Sequence, residues 1–210
     1  MPKPTKWQTE TAAGHSQWYI ERFRKMALDG ADLAGEARFV DAMLARGSRV
    51  LDAGCGPGRV GAELSARGHT VVGVDADPEL IAAAIADHQG PTWHTIDLCD
   101  FSLRSLSEHD VEAHGDAAEP FDAIVVAGNV VAFMADGTQQ LALSNLRESL
   151  AADGFIVVGF GTDRGYSIEA FDEDSAQAGL ALEHRFGTWH LGIWEGDCDF
   201  AVSVLRVAGS

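Results

Sequence analysis

Short apolar runs alternate with amphipathic stretches along most of the chain. The apolar runs predict strands over residues 49–53, 70–75, 92–96, 121–127 and 154–160. The amphipathic stretches predict two helices within residues 16–45, then helices over 60–67, from Pro78 onward and over 138–150. Strands that alternate with helices form a parallel sheet covered on both faces, so an α/β fold is expected.

The pattern changes near the C-terminus. Residues 180–190 and 198–207 are strand-like and are joined by a short loop that contains Gly192 and Gly196, which predicts a closing antiparallel hairpin. Residues 104–120 are polar, carry five acids against one arginine and lack periodicity. We interpret this segment as an exposed loop or irregular insertion.

Composition limits the class of protein. A length of 210 residues with 46% hydrophobic content is consistent with one core and one domain. Thirty-two acidic residues against 15 basic ones give a net charge of -17, which makes a nucleic acid an unfavourable partner. The cysteines Cys55, Cys99 and Cys198 are widely spaced, and no apolar stretch is long enough to cross a bilayer. We therefore expect a protein of the reducing cytoplasm, with no membrane partner.

A glycine-rich loop follows the first predicted strand. Residues 52–58 read Asp-Ala-Gly-Cys-Gly-Pro-Gly, and such glycines allow bare backbone to approach a ligand. Gly56, Gly58 and Gly61 also satisfy the dinucleotide pattern Gly-x-Gly-x-x-Gly. However, the carboxylate of Asp52 would repel a pyrophosphate, whereas it would favour the ammonium and sulfonium groups of S-adenosylmethionine (SAM).

Two further aspartates end predicted strands. Asp75 ends the second strand, which lies beside the first in a right-handed strand-helix-strand unit, so its carboxylate can accept both hydroxyls of a ribose. Asp77, directly before Pro78, is the better candidate for the helix cap. Asp97 ends the third strand and can face an adenine amine, with Leu98 against the ring. An ordinary solvated loop aspartate is an equally good interpretation of Asp97.

Taken together, VLDAGCGPGR, the acidic end of VVGVD, the IDL at residues 96–98 and FDAIVVAGN resemble the ordered motifs of class I SAM-dependent methyltransferases. The resemblance extends from about Gly35 to the C-terminus. It implies a Rossmann-like domain over residues 35–210, with a seven-stranded sheet in the order 3-2-1-4-5-7-6, strand seven antiparallel and helices on both faces. It also implies SAM as the cofactor.

The resemblance assigns cofactor contacts to particular residues. The methionine end of SAM would be lined by Asp52, Gly54, Gly56 and Gly58, the ribose by Asp75 and Ala76, the adenine by Asp97 and Leu98, and the methionine moiety and acceptor by Gly128 and Asn129. Residues 129–132 read Asn-Val-Val-Ala, unlike the polar residue, two prolines and aromatic residue of the enzymes that methylate exocyclic amines of DNA. Base methylation therefore loses support.

The N-terminal helical segment, residues 1–34, resembles the part that covers the cofactor site in many of these enzymes. Tyr19 or Arg24 can then reach the carboxylate of SAM. The alternative interpretations are core packing for Tyr19 and a solvated helix face for Arg24.

No catalytic residue or metal site is marked in the sequence. The histidines form no His-x-x-x-His pair, and transfer from a sulfonium can rely mainly on positioning of the acceptor. We expect a small metabolite as the acceptor and make no prediction of the oligomeric state. The alternatives are an NAD(P)-dependent oxidoreductase, for which no Tyr-x-x-x-Lys is found, and a SAM-binding protein without catalysis.

Overall fold

The computed structural model describes residues 3–109 and 119–209. The strands in this part of the chain are β1 Arg49–Ala53, β2 Thr70–Asp75, β3 Thr92–Thr95, β4 Phe121–Val126, β5 Leu150–Gly161, β6 Leu180–Phe186 and β7 Phe200–Val207. The helices there are α1 Lys6–Glu10, α2 His15–Leu28, α3 Gly35–Asp41, α4 Arg59–Ala66, α5 Pro78–Asp87, α6 Leu103–His109, α7 Val130–Phe133, α8 Gln139–Glu148 and α9 Ile168–Gln177.

The strands form a single sheet within the described residues, in the order β3-β2-β1-β4-β5-β7-β6. The neighbouring strands from β3 to β5 are parallel, whereas β7 is antiparallel to both β5 and β6. The predicted fold class, strand order and antiparallel strand are therefore confirmed. Because the parallel strands share a direction, the carboxyl ends of β1, β2 and β4 meet at one edge of the sheet.

Both faces of the sheet are covered. Leu51 and Ile124 belong to one buried cluster, and the neighbouring residues Val50 and Val125 belong to another. Successive side chains of a strand point to opposite faces, so a strand buried on both sides needs an uninterrupted apolar run. This explains why the central strands were recognisable as continuous runs of apolar residues.

Helix α5 begins as its sequence predicts. The Asp77 side chain accepts a hydrogen bond from the Glu79 backbone N–H at 2.8 Å, and Pro78 lies in the first turn. The cap is thus Asp77, and Asp75 remains at the end of β2. Within the described residues, no helix is long and apolar enough to cross a bilayer.

Two predictions about irregular segments were wrong in part. Residues 104–109 of the predicted loop 104–120 belong to α6, because Ser102 and Ser105 exchange hydrogen bonds at its start, each 3.0 Å, and Leu106 is buried. Residues 110–118 lie outside the described part. The connection of the C-terminal hairpin, residues 187–199, is also longer than predicted, since β6 ends at Phe186 and β7 begins at Phe200.

The N-terminal helices pack against α5. Ile20 of α2 is buried with Leu80 and Ala83 of α5, and Trp7 and Tyr19 pack against this cluster. Because α5 follows β2 directly, this packing places α1 and α2 at the carboxyl edge of the sheet.

Candidate active site

A cleft lies at the carboxyl ends of β1, β2 and β4. It encloses about 960 Å³ of space, including a part open to solvent. The predicted site residues that line it are Tyr19, Asp52, Gly54, Gly56, Asp75, Ala76, Asp97, Leu98 and Gly128. The cleft therefore brings together residues from β1, β2, the end of β3, β4 and the N-terminal segment.

The glycine loop is held against β2 and adopts backbone angles that favour glycine. The N–H groups of Gly54 and Cys55 both donate to the Val74 carbonyl, at 2.8 and 2.9 Å. Gly54 has φ +75, and a Cβ there would lie 2.4 Å from Cγ2 of Val130. A side chain at Gly54 would therefore be both strained and obstructed.

Gly58 belongs to the packing behind the loop. It adopts φ +87 at the N-terminus of α4, and a Cβ there would meet the Trp93 ring at 2.9 Å. It is not among the residues that line the cleft. The structure thus gives Gly58 a role in the turn from the loop into α4.

Asp52 is buried at the bottom of the cleft, with 1% of its surface exposed. Its Oδ2 accepts a hydrogen bond from the Gly61 N–H at 2.7 Å. Burial raises the pKa of this carboxyl to about 7, although the hydrogen bond from Gly61 acts in the opposite direction. The group is consequently poised near neutrality, and a cation in the cleft would favour its charged form.

Asp75 has protein partners for both oxygens. Oδ2 accepts from the Gly56 N–H and Oδ1 from the Asp77 N–H, each at 2.9 Å. Burial raises its pKa to about 6, and these backbone bonds oppose the rise. The carboxylate thus orders the glycine loop, while each oxygen retains a second acceptor position for a ligand hydroxyl.

Asp97 and Leu98 form the cleft wall that follows β3. Asp97 is half-buried, and its Oδ1 accepts from the Cys99 N–H at 2.8 Å. Leu98 is buried, and its carbonyl accepts from Asn145 Nδ2 at 3.0 Å. The position of Asp97 at the cleft argues against an ordinary solvated loop aspartate.

Asn129 joins the ends of two strands. It has φ 67, its Oδ1 accepts from the Gly161 N–H at 2.7 Å, and it is not among the lining residues. Its neighbour Gly128 does line the cleft, and a Cβ there would lie 3.7 Å from the Tyr19 hydroxyl. The structure therefore places Gly128 at the site and uses the Asn129 side chain to connect the end of β4 with β5.

The N-terminal segment contributes aromatic rings to the cleft. The Tyr19 ring lies 4.8 Å from Phe23 and 5.3 Å from Trp7, centroid to centroid. Burial raises the pKa of Tyr19, and the positive charges of Arg59 and Arg22 oppose this rise. Arg24 is directed elsewhere, since it is exposed and pairs with Asp87 at 2.8 Å. The solvated interpretation of Arg24 is therefore correct.

Sequence reasoning missed two groups at the cleft. Arg59 of α4 lines it and pairs with Glu36 of α3, through Nη1 to Oε2 at 2.8 Å and Nη2 to Oε1 at 2.5 Å. Its guanidinium also lies 5.2 Å from the centre of the Phe23 ring. Thr5, Trp7 and Gln8 line the cleft from α1 and the residue before it. Arg59 stands within the VLDAGCGPGR motif, whereas no sequence pattern marked Glu36 or α1.

The cleft fits a cofactor that combines a nucleoside with a positive charge. Asp75 and Asp97 present carboxylate oxygens near one end, and the buried Asp52 carboxyl lies beside the glycines of the loop. Arg59, the lining residue with a positive charge, is already paired with Glu36. This charge distribution favours a ligand with a sulfonium and an ammonium over one with a pyrophosphate.

Comparisons with known proteins agree with this geometry. Residues 51–156 match the family model described as a methyltransferase domain. A TehB-like SAM-dependent methyltransferase from Corynebacterium glutamicum has 39% sequence identity and a TM-score of 0.82, with 93% of this chain and 100% of that chain covered. No match was found among curated proteins.

Two more distant structures share the fold. A SAM-dependent methyltransferase from Clostridium acetobutylicum has 11% identity and a TM-score of 0.71, over 92% of this chain and 99% of that one. The N-methyltransferase NodS from Bradyrhizobium japonicum has 21% identity and a TM-score of 0.60, over 90% and 97%.

The sheet and its cleft define a Rossmann-like enzyme that binds a nucleoside-containing cofactor. The chain belongs to the class I SAM-dependent methyltransferases, and SAM is its cofactor. The alternative of an NAD(P)-dependent oxidoreductase is thereby set aside.

Proposed function

We propose that this methyltransferase binds SAM through the residues at the carboxyl ends of β1, β2 and β3 and methylates a small molecule that enters beside β4. The observation that carries the proposal is the convergence of Asp52, Asp75 and Asp97 on one cleft with the glycines of the loop. SAM would supply a methyl group bound to a sulfonium. Transfer of that methyl group to the acceptor would release the rest of the cofactor as S-adenosylhomocysteine.

Each predicted residue is given a separate task in binding. The Asp75 carboxylate, with Ala76 beside it, accepts the ribose hydroxyls, and Asp97 with Leu98 borders the adenine. Gly54, Gly56 and the Asp52 carboxyl hold the methionine end, where the negative charge favours the ammonium and sulfonium groups. Gly58 and Asn129 support the loop and the end of β4 from behind.

The wall that follows β4 is proposed to receive the acceptor. It consists of Gly128, Val130, Phe133 and Met134, and the Tyr19 ring faces it. Apart from Gly128, these residues have apolar or aromatic side chains, so they can exclude water and hold a nucleophile in line with the methyl group. The acceptor is small because α1 and α2 cover the cleft, which leaves little room for a folded macromolecule.

The remaining assignments follow from charge and packing. We propose that residues 1–34 act as the cover of the site and residues 35–210 as the methyltransferase domain, since α2 packs on α5 beside the cleft. The net charge of -17 favours a small acceptor over a nucleic acid. Cys55, Cys99 and Cys198 are free thiols, in keeping with the reducing cytoplasm as the place of action.

A thermal-shift series tests the cofactor site. A ligand at about a hundredfold excess over its Kd stabilises the native state by about 2.7 kcal/mol, which raises the Tm of a chain of this size by about 5–10 °C. We expect this shift with SAM and S-adenosylhomocysteine and none with NAD or NADP. Stabilisation by a dinucleotide alone would overturn the assignment of the cleft.

An acceptor panel then tests the substrate. Purified enzyme and SAM are incubated with small amines, thiols, alcohols and carboxylic acids, with a folded protein and with duplex DNA, and S-adenosylhomocysteine formation is measured. Turnover confined to small molecules supports the proposal. Turnover confined to the protein or the DNA contradicts it.

A further inference from the structure

The segment before α2 crosses the cofactor cleft and is attached on both sides of it. We call residues 3–14, which contain α1, the N-terminal strap. On one side Lys6 Nζ pairs with Asp136 Oδ1 at 2.6 Å, shortly after α7. On the other side Trp7 Nε1 donates to Asp77 Oδ2 at 2.8 Å, at the start of α5. Because β2 and β4 flank β1 in the sheet, a strap with these attachments passes over the carboxyl end of β1, where the glycine loop begins.

The two attachments differ in strength. Asp136 is exposed over 85% of its side chain, and an ion pair of that kind contributes little. Only 9% of the Asp77 surface is exposed, and its Oδ2 accepts hydrogen bonds from both the Trp7 indole and the Ser16 hydroxyl. A hydrogen bond to a shielded carboxylate is the stronger type. The end of the strap at Trp7 is therefore the firmer one.

The Trp7 indole is also part of the cleft wall. Its ring lies 5.3 Å from Tyr19 and 5.6 Å from Phe133, in edge-on contacts. Phe133 follows β4, whereas Asp77 follows β2, so the indole spans the distance between the two sides of the cleft. A ligand that binds between Asp75 and Gly128 thus lies beneath this ring.

We propose that the Trp7–Asp77 hydrogen bond is a latch that controls the exchange of SAM and S-adenosylhomocysteine. The cofactor passes only when the strap lifts, and the strap lifts only when the indole N–H leaves Asp77. Trp7 is in this sense a positioning residue, and Asp77 acts through it. The inference rests on the proposed placement of the cofactor in this cleft.

A latch has a kinetic signature that a simple contact lacks. The Trp7–Asp77 bond can form with the cleft empty or filled, so weakening it increases the open fraction in both states. The association and dissociation rate constants should then rise together, while Kd changes little. Loss of a direct contact with the cofactor would instead raise the dissociation rate constant alone and increase Kd by the same factor.

The test compares Trp7→Phe and Asp77→Asn with the wild-type enzyme. Phenylalanine retains an aromatic ring but lacks the N–H. Asparagine remains a good helix cap, so one side-chain oxygen can still accept from Glu79, while the negative charge that holds the indole is lost. Trp18→Phe is the matched control, because Trp18 is 53% exposed and lies outside the cleft lining.

Surface plasmon resonance with immobilised full-length enzyme and S-adenosylhomocysteine measures both rate constants. We expect each latch variant to raise both by about tenfold, the effect of losing a charge-assisted hydrogen bond, and to change Kd by less than about threefold. The double variant should add nothing to the effect of Asp77→Asn, because that change already breaks the bond from Trp7. Trp18→Phe should match the wild type.

The outcomes separate the two proposals. If the wild-type enzyme does not bind S-adenosylhomocysteine, the proposed cofactor site fails, and the latch fails with it. If the wild type binds but the latch variants change neither rate constant, or change only dissociation, the latch alone is overturned. Circular dichroism and thermal melts establish whether Trp7→Phe and Asp77→Asn are folded. One folded latch variant is sufficient for the test.

Discussion

Replacing Asp52 with asparagine should stabilise the empty enzyme and weaken SAM binding at the same time. Asparagine has nearly the same shape, and its side-chain oxygen can still accept from the Gly61 N–H, which is now 2.7 Å from Oδ2. The change therefore removes the charge and leaves the packing in place. Opposite effects on stability and on affinity would identify a carboxylate whose charge serves the ligand and destabilises the fold.

The size of the stability effect follows from the pKa of Asp52. Burial raises it from 3.8 to about 7, and each unit corresponds to about 1.4 kcal/mol. Holding the ionised group in the folded state at pH 8 thus costs about 4 kcal/mol at most. Relaxation around the charge offsets a part of this cost, so we expect Asp52→Asn to gain about 2–4 kcal/mol at pH 8.

The sign of the pH dependence is fixed by the direction of the shift. Between pH 3.8 and about 7 the folded state retains the Asp52 proton and the unfolded state has lost it. The free energy of unfolding therefore falls as pH rises through this window. The variant lacks this fall, so its advantage over the wild type should be near zero at pH 4 and complete above pH 7. Asp75 is present in both proteins, and its negative charge adds to the rise in the pKa of Asp52.

Thermal melts without ligand, in buffers from pH 4 to 8, measure the first effect. A gain of about 2–4 kcal/mol should raise the Tm at pH 8 by roughly 5–15 °C for a chain of this size. Calorimetric titration with SAM measures the second effect, and we expect Kd to increase at least tenfold through loss of about 1.5–3 kcal/mol. Asp153→Asn, an exposed carboxylate, is the control and should change neither quantity.

Two results would refute this reasoning. A Tm of Asp52→Asn at or below the wild-type value at pH 8 would mean that the buried charge carries no cost in the empty enzyme. An unchanged Kd for SAM would mean that the Asp52 carboxylate does not serve the cofactor.

Three further predictions concern the same cleft and the surface. Asp75→Asn should weaken SAM binding by about 1.5–3 kcal/mol in calorimetric titration while the protein stays folded, and an unchanged Kd would remove Asp75 from the ribose site. Gly54→Ala should lower the free energy of unfolding in urea by about 1–3 kcal/mol because of its positive φ and the nearby Val130 side chain, and Val130→Ala should restore a part of that loss. The wild-type enzyme should not retain duplex DNA at physiological salt in an anisotropy assay, and tight, salt-sensitive retention would contradict the expectation drawn from its charge.

Most of the fold was predictable because its signals are local. The central strands are buried on both faces along most of their length and therefore contain continuous apolar runs, over residues 123–126 in β4 and 155–158 in β5. Asp52, Asp75 and Asp97 stand at strand ends or just after them, and in a parallel sheet such positions meet at one edge. The strand boundaries and the direction of the chain thus bring the three carboxylates to one edge, and the resemblance to the methyltransferases assigned them to one cofactor site.

The features that the sequence did not reveal depend on distant partners. Helix α1 has only five residues, too few for a periodic pattern, and a helix of that length depends on tertiary contacts. Trp7 acquires its place from Asp77, and Arg59 from Glu36, each through a contact between different elements. Helix α6 was missed because its segment is polar and lacks a periodic pattern, although Ser102 and Ser105 exchange hydrogen bonds at its start.

Asn129 belongs to a motif of the methyltransferase family, but the role predicted for its side chain was incomplete. The sequence predicted a cofactor contact, whereas the structure uses the side chain to accept from the Gly161 N–H and holds the backbone at φ 67. Asparagine is one of the few residues that tolerate this conformation. We therefore predict that Asn129 acts first on stability, by fixing the turn after β4.

A series at position 129 separates the two roles. Asn129→Gly retains the conformation and loses the acceptor, so it should cost about 1 kcal/mol in the free energy of unfolding. Asn129→Ala loses both features and should cost about 1–2 kcal/mol more, since alanine adopts positive φ only with strain. Urea denaturation measures this order, and calorimetric titration of the same variants with SAM should show changes in Kd of less than about fivefold for Asn129→Gly, because the lost bond joins two parts of the protein. If Asn129→Gly instead unfolds like the wild type and binds SAM more than tenfold more weakly, the side chain contacts the cofactor directly, and the role assigned to it by the structure is wrong.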